Sequence, residues 1–378
     1  MERNHEGATT GRTLRARAAN AVGEVSGAFG DLGTLLPYVV PVLVAGVLAP
    51  GPVFAGFAAG YLLVALVYRV PVAVQPMKAL GAVILAGGLG AEGIAVSGAV
   101  LGALLLALAA TPLVSRAATA IPRSVVTGLQ LGLGLALAAL AFRAVMTDVA
   151  VGAAALALLA LAFLVPRGPW VLLVLPLGLA FPAGEVAAIS PAPPGSLVEA
   201  VLSGVVPQLP LTLVNAVVVA AAVSHALYGP AASRVSERRL AATSGALNLV
   251  LAPLGALPMC HGAGGIAAHH RYGARGVAAP LVMALACAVA ALQGEAIVGL
   301  LGAINPAAVG ALLFYAGAEL AFSRRLFEAR PDCRPVIAVT AGASLVLGPA
   351  VALLAGLAAE AARSHLARDR RRTGPPSL

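Results

Sequence analysis

Charge is what this 378-residue chain has least of. Asp, Glu, Lys and Arg together make up 10% of it, against about 25% in a soluble domain. That is too little to cover a water-facing surface. The whole sequence holds one lysine, Lys78, and one tryptophan, Trp170. Its cysteines, Cys260, Cys287 and Cys333, are scattered and show no CxxC spacing, which excludes a disulfide framework. Aromatic residues are 4% and do not interleave with the arginines, so the formal net charge of +9 does not make a nucleic-acid-binding face. What is abundant is apolar: hydrophobic residues are 60% and the mean hydropathy is +0.96. Apolar runs repeatedly approach the roughly 17–25 residues that cross a bilayer as a helix. This is the composition of an all-α polytopic membrane protein, whose first partner is the lipid bilayer.

The arginines cluster in short loops and at the ends ("RTLRARAAN", "ARDRRRT"), which is how orientation-setting charge is distributed. The last cluster could also touch anionic lipid. Basic residues precede the first apolar run, as they do in a signal peptide. However, the run from Gly27 to Gly46 is too long for such a peptide's core, contains Asp31 and lacks a cleavage site, so it reads as the first span. Cutting at charges, prolines and glycine-rich breaks gives about fourteen segments. With the N-terminal arginines in the cytoplasm and sides alternating, Glu92, Asp148, Glu185, Glu199 and Glu295 fall outside and the loop arginines inside, Arg143 excepted. Both termini are then cytoplasmic. The near absence of lysine beside abundant Ala and Arg points to a GC-rich bacterial genome, hence an inner membrane.

An internal repeat emerges on alignment. "QPMKALGAVI" (Gln75–Ile84) matches "LPMCHGAGGI" (Leu257–Ile266), and "IPRSVVTGLQLGLGLAL" (Ile121–Leu137) matches "INPAAVGALLFYAGAEL" (Ile304–Leu320) at nearly the same separation. Seven segments per half is an odd number, so the second copy enters the membrane from the opposite side. Inverted repeats of this kind build many secondary transporters. The expected organisation is a cytoplasmic tail (1–26), a first seven-segment repeat (27–190), an extracytoplasmic linker (191–206), a second, inverted repeat (207–362) and a cytoplasmic tail (363–378).

Pro76 and Pro258 force the preceding backbone out of helix. A short helix can begin directly after each, at Met77 and near Cys260, fed by the extended stretches "PVAV" and "LGAL". Such backbone is tolerated at membrane depth only where protein or a wet cavity satisfies it. Each helix start offers free N–H groups and about half a positive charge, so two of them meeting nearly head to head make an anion site. Gln75, Met77, Lys78, Cys260, His261, Gly262, Ala263 and Gly264 lie in these two turns. Gly262, Gly264 and Gly265 would let a ligand approach the backbone closely, and Lys78 would add a full charge. The plainer reading of Lys78 is a side chain snorkelling at a helix end. Cys260, His261, His269 and His270 could instead ligate a metal, but C-H-x7-H-H matches no established spacing. No metal or other cofactor is expected.

Other polar groups could wall the same cavity. Asp31 and Thr34 are one helical turn apart, and Gln208, Thr212 and Asn215 share one helix face. The alternative is that this face merely hydrogen-bonds neighbouring helices. Gln130 and Glu319 lie in the fifth and twelfth segments. Asp31 and Glu319 are the carboxylates placed for ion coupling, although Glu319 could equally be an interfacial residue near Arg324.

The stretches "GAFGDLGTLLP", "VQPMKALGAV", "IPRSVVTGLQLGLGL", "PQLPLTLVNAV", "GALNLVLAPLGALPMCHGAGGIA" and "HRYGARG" together resemble the MOT-type molybdate transporter family, a branch of the sulfate permease (SulP) superfamily. The likeness extends over most of the membrane region. The sequence departs from the family pattern at Ala73, where a proline is usual, and at Ala216, where a serine is common. The resemblance implies two inverted seven-segment halves divided into core and gate domains, and uptake of molybdate by alternating access. It places the anion against Lys78 and the Cys260–Gly265 turn, with Thr34 and the Gln208–Asn215 face nearby. The expected function is therefore secondary transport of a tetrahedral oxyanion, molybdate first and sulfate second, and not enzymatic catalysis. The two anions differ too little in bond length for the sequence to choose between them. An anion channel of the same fold, a uracil-like substrate and an intramembrane metal enzyme built on Cys260, His261 and His269 are the rival readings. A homodimer is compatible with all of them.

Overall fold

The computed structural model describes residues 20–164, 170–182 and 196–373. Most of the expected N-terminal tail (1–19), Glu185, the start of the expected linker (191–195) and the last five residues (374–378) lie outside that range; the rest of the expected linker, from Leu197 to Val206, is helical rather than a loop. The described chain is almost wholly helical. In lipid every backbone polar group must find its partner within the protein, and a helix does this segment by segment. Alanine- and leucine-rich runs supply the propensity.

Among the described residues six helical stretches are long and apolar enough to cross a membrane. They are Asn20–Val44, whose second part is α1 (Leu32–Val44); α2 (Pro50–Val67); α4 (Ala91–Ala110); α5 (Arg123–Val145); α8 (Leu197–Arg234); and Pro306–Phe327, which contains α13 (Pro306–Ala321). A seventh is the pair α11 (Ala278–Gln293) and α12 (Glu295–Gly302), bent by 101° at Gly294. There φ is +47°, a left-handed conformation that glycine adopts without penalty. The fourteen expected segments do not all appear as full-length helices. Between the long ones lie α3 (Lys78–Leu85), α6 (Val149–Leu164), α7 (Trp170–Ala180), α9 (Glu237–Leu251) and α10 (Ala263–Arg271), and after the last of them come α14 (Arg334–Val346) and α15 (Pro349–Thr373). α3 and α10 are only 8 and 9 residues long, because each starts where a proline has already broken the chain.

α8 is not a uniform helix. It widens into π-helix at Ala200–Val205 and again at Thr212–Val219, on either side of Pro207 and Pro210. Proline removes a helix N–H and crowds the preceding turn, and a π-turn is one way the ladder absorbs that mismatch. The first span is also interrupted, by a turn at 29–31 that leaves Asp31 at the N-cap of α1.

The only strands among the described residues are two residues each. β1 (Gln75–Pro76) pairs antiparallel with β2 (Met259–Cys260), Gln75 opposite Cys260 and Pro76 opposite Met259. The Met77 N–H extends the ladder to the Pro258 carbonyl at 3.0 Å. Asn248 of α9 bonds β2 from the side: its amide donates to the Met259 carbonyl at 2.6 Å and accepts from the Met259 N–H at 2.8 Å. This buried ribbon thus leaves little main-chain polarity unpaired, as membrane burial demands.

Around it α2 packs on α11, α4 on α9, and α5 on α13. Two of these contacts run backbone against backbone. A Cβ on Gly317 would stand 2.8 Å from the Gly134 carbonyl oxygen, and one on Gly245 would stand 2.9 Å from that of Gly102. Without a hydrophobic drive between helices in lipid, close approach of small residues is a main source of packing energy. Leu66, Leu285, Leu292 and Leu354 project outward, as lipid-facing side chains do, whereas Asp31, Gln75, Gln208, Thr212 and His261 are buried at the centre.

Candidate functional site

The ribbon brings the two short helices to one place. α3 begins at Lys78 with Met77 as its N-cap, and α10 begins at Ala263 with Gly262 as its N-cap. Their starts border a small cavity with about 20 Å³ of room for the centre of a water molecule. Gln75, Lys78, Gln208, Asn215, Cys260 and Gly262 line it together with Leu211, Ala216 and Leu320. Segments more than 180 residues apart in sequence therefore supply its polar wall.

Each polar side chain has a definite task in this arrangement. The Gln75 amide nitrogen donates to both carboxylate oxygens of Asp31, at 2.8 and 2.7 Å. Gln75 thereby stands between that carboxylate and the cavity, and its oxygen faces the Gly262 backbone so closely that any Cβ at 262 would collide with it. Gly265 is equally confined, between Asp31, Gln75 and Ala73. Gln208 reaches across from α8. Its amide oxygen accepts from the Ala79 N–H at 2.9 Å and the Leu80 N–H at 3.1 Å, while its nitrogen donates to the Thr212 hydroxyl at 2.9 Å. Among the described residues Lys78 forms no salt bridge, so its charge is not neutralised by a paired carboxylate.

Seven of the twelve residues expected to bind substrate stand differently from the simplest picture, or stand back from the cavity. His261 is fully buried and does not line the cavity. Its Nδ1 lies 2.9 Å from the Ala73 carbonyl, which requires a proton on Nδ1, and its Nε2 lies 2.7 Å from the Thr243 hydroxyl. Tyr68 hydrogen-bonds the same hydroxyl at 2.6 Å and packs edge-on against the imidazole. Thr34 lies beside Asp31, Met77 is spent on the ribbon, and Thr212 anchors Gln208. Ala263 is buried behind the Gly262 turn. Gly264 is exposed, with nothing within 4 Å of where its Cβ would be. Gln208 lines the cavity but closes two of the α3 N–H groups that the sequence reading left free. Glu319 is exposed on α13, next to the cavity-lining Leu320. Gln130 is buried in α5, and its amide oxygen has no hydrogen-bond partner among the described residues.

The metal-site alternative loses its geometry. His261 turns to Ala73 and Thr243, His269 bonds the Gly27 carbonyl at 2.7 Å, and among the described residues no three His, Cys, Asp or Glu side chains converge. Sequence reasoning missed Asn248, Thr243 and Tyr68, which hold β2 and His261 in place. The available signal was a polar residue inside an apolar helix, as at Asn248. It also missed Leu211, Ala216 and Leu320, which are indistinguishable from ordinary core residues.

The family described as "Molybdate transporter of MFS superfamily" matches residues 23–137 and 200–320. The chain is 29% identical to Molybdate transporter 1 of Arabidopsis thaliana, over 88% of this chain and 86% of that protein. It is 28% identical to Molybdate transporter 2 of the same plant, over 87% and 86%. Molybdate transporter 1 of Chlamydomonas reinhardtii is 41% identical over a shorter stretch, 32% of this chain and 24% of that one. Among solved structures, the transmembrane domain of the cyanobacterial bicarbonate transporter BicA superposes with a TM-score of 0.62 at 15% identity, over 89% of this chain and 97% of that one. SLC26A9 superposes with a TM-score of 0.65 at 12% identity, over 91% and 65%. The fold is thus that of BicA and SLC26A9, and, with the family match spanning both halves of the ribbon and its short helices, the chain belongs to the molybdate transporter family.

Proposed function

We propose that this chain is a secondary transporter that takes up a tetrahedral oxyanion, molybdate first and sulfate second, by alternating access. One observation carries the reading: the antiparallel pairing of Gln75–Pro76 with Met259–Cys260, which sets two helix starts and Lys78 around one cavity. N–H groups at a helix start together with an ammonium form a ready anion receptor. The plant relatives named as molybdate transporters support molybdate over other oxyanions.

The anion is held by Lys78, Cys260 and the Gly262–Gly264 backbone, with Gln75, Gln208 and Asn215 as walls. Met77, Thr34, Thr212, His261 and Ala263 shape this shell from behind. Two inverted seven-segment halves, 27–190 and 207–362, form the core and gate, with both termini cytoplasmic. The packing supports this division: under the repeat alignment the α2–α11 contact corresponds to the α9–α4 contact, and the α5–α13 contact corresponds to itself. Bacterial inner membrane is the proposed location.

Asp31 and Glu319 are the proposed coupling carboxylates. Competitive uptake of labelled molybdate against sulfate and tungstate over a pH series tests substrate and coupling together. Saturable uptake that tungstate inhibits about as strongly as unlabelled molybdate, and sulfate more weakly, is the expected result for a molybdate carrier. Equal inhibition by sulfate would move the assignment to a general oxyanion carrier. Ohmic currents without counter-transport would replace the carrier by a channel. Asp31→Asn is expected to flatten the pH dependence of uptake. An unaltered pH profile in that variant removes Asp31 from the coupling step.

A further inference from the structure

The start of α3 is already occupied by a group from elsewhere in the chain. The Gln208 amide oxygen sits 2.9 Å from the Ala79 nitrogen and 3.1 Å from the Leu80 nitrogen. These are the second and third N–H groups of the helix, the pair that an anion at a helix start would use. Gln208 is 2% exposed and borders the cavity, and its own nitrogen is held by Thr212. Its oxygen therefore takes an oxyanion's position, with a neutral acceptor in place of a charged one. At α10 the N-cap is Gly262, which has no side chain of its own to offer.

We propose that Gln208 is a tethered stand-in for the substrate: its amide oxygen satisfies the α3 N–H pair in the empty site, and only an anion that displaces it can bind there. This rests on the oxyanion-transport reading and adds to it a threshold that every anion has to clear. Two acceptors cannot both take near-linear bonds from the same N–H groups. A dianionic oxyanion makes charge-assisted bonds about twice as strong as those of an amide and also gains Lys78, so it displaces the side chain. Chloride, with half the charge and one centre in place of four oxygens, gains less by the exchange. Displacing the side chain lowers the affinity of every anion by the same factor, which takes the weak, abundant one below measurable occupancy while the strong one still binds. While the site is empty, the side chain also keeps two buried N–H groups from going unpaired, which would otherwise be costly.

The test uses the purified full chain in lipid nanodiscs with sodium molybdate and sodium chloride as probes. Gln208→Met retains the side-chain volume and removes the acceptor; Gln208→Ala removes both and guards against a packing artefact. Molybdate binding by calorimetry is expected to tighten by about three- to tenfold in both variants, since each removes a competing pair of ordinary hydrogen bonds. Chloride, nearly inert against the wild type, is expected to become a measurable competitor. Hydrogen exchange adds an independent reading: the amides of Ala79 and Leu80 should lose protection in the empty variants and regain it with molybdate. Unchanged or weaker molybdate affinity, or amides that molybdate does not protect, would overturn the proposal and leave Gln208 as a direct ligand or a wall. If the wild type binds neither molybdate nor sulfate, the transport reading falls and takes this inference with it. If the wild type binds and the variants do not bind tighter, only the inference falls.

Discussion

The starts of the two short helices, α3 and α10, occupy matching places in the repeat and are furnished in opposite ways. At α3 the first residue is Lys78 and two N–H groups are held by Gln208. At α10 the N-cap is Gly262 and the second residue is Gly264, neither of which carries a side chain. One start carries charge and a side-chain partner, whereas the other offers bare backbone. Duplication can supply the same backbone device twice, but a cavity of this size has room for only one large cation. The comparison suggests that α3 contributes most of the attraction and α10 most of the fit.

The largest expected effect breaks the charged side of that comparison. Lys78→Ala should weaken oxyanion binding on the order of a hundredfold, the scale for removing one partner of a buried charge pair, while membrane insertion is preserved. Uptake kinetics equal to wild type would show that the charge is not used. On the fitted side, Gly262→Ala forces a methyl group against the Gln75 amide, which Asp31 holds in place. Transport is expected to fall about tenfold, the scale of a buried overpacking strain. Gly264→Ala, with open space at its Cβ position, should change it far less. If the two alanine variants behave alike, steric fit at α10 does not limit the site. The smallest effect on binding belongs to His261→Ala. It should lower thermal stability by about 1–3 kcal/mol, because the Ala73 carbonyl loses the imidazole N–H and the Thr243 hydroxyl loses one of its partners. The dissociation constant for molybdate should stay within twofold of wild type. A large loss of affinity without loss of stability would return His261 to the cavity wall.

Much of this was legible from residue types alone. Low charge and long apolar runs led to a membrane-spanning helical bundle, and Pro76 and Pro258 located both breaks because proline cannot continue a ladder. Lys78 and Gln208 were found because polar groups are rare in so apolar a chain. The direction of a side chain was harder to read. His261 sits next to Cys260 in sequence, but in extended backbone neighbouring side chains alternate faces; Cys260 points to the cavity and His261 to Thr243. Likewise, a polar face on α8 reads as a ligand surface, yet Gln208 spends its polarity on α3, a contact 129 residues away. The internal geometry of the helices was not legible either, because hydropathy does not register the π-widening at Thr212–Val219 or the sharp bend at Gly294.

The two-residue ribbon has a mechanical corollary. Main-chain bonds between Gln75–Met77 and Pro258–Cys260 fasten the tips of α3 and α10 to each other, so neither tip can tilt without dragging its partner. In the proposed transport cycle the two tips would then move together, with the spacing of their donors intact. An anion would be gripped equally hard whether it arrives from one face of the bilayer or leaves toward the other.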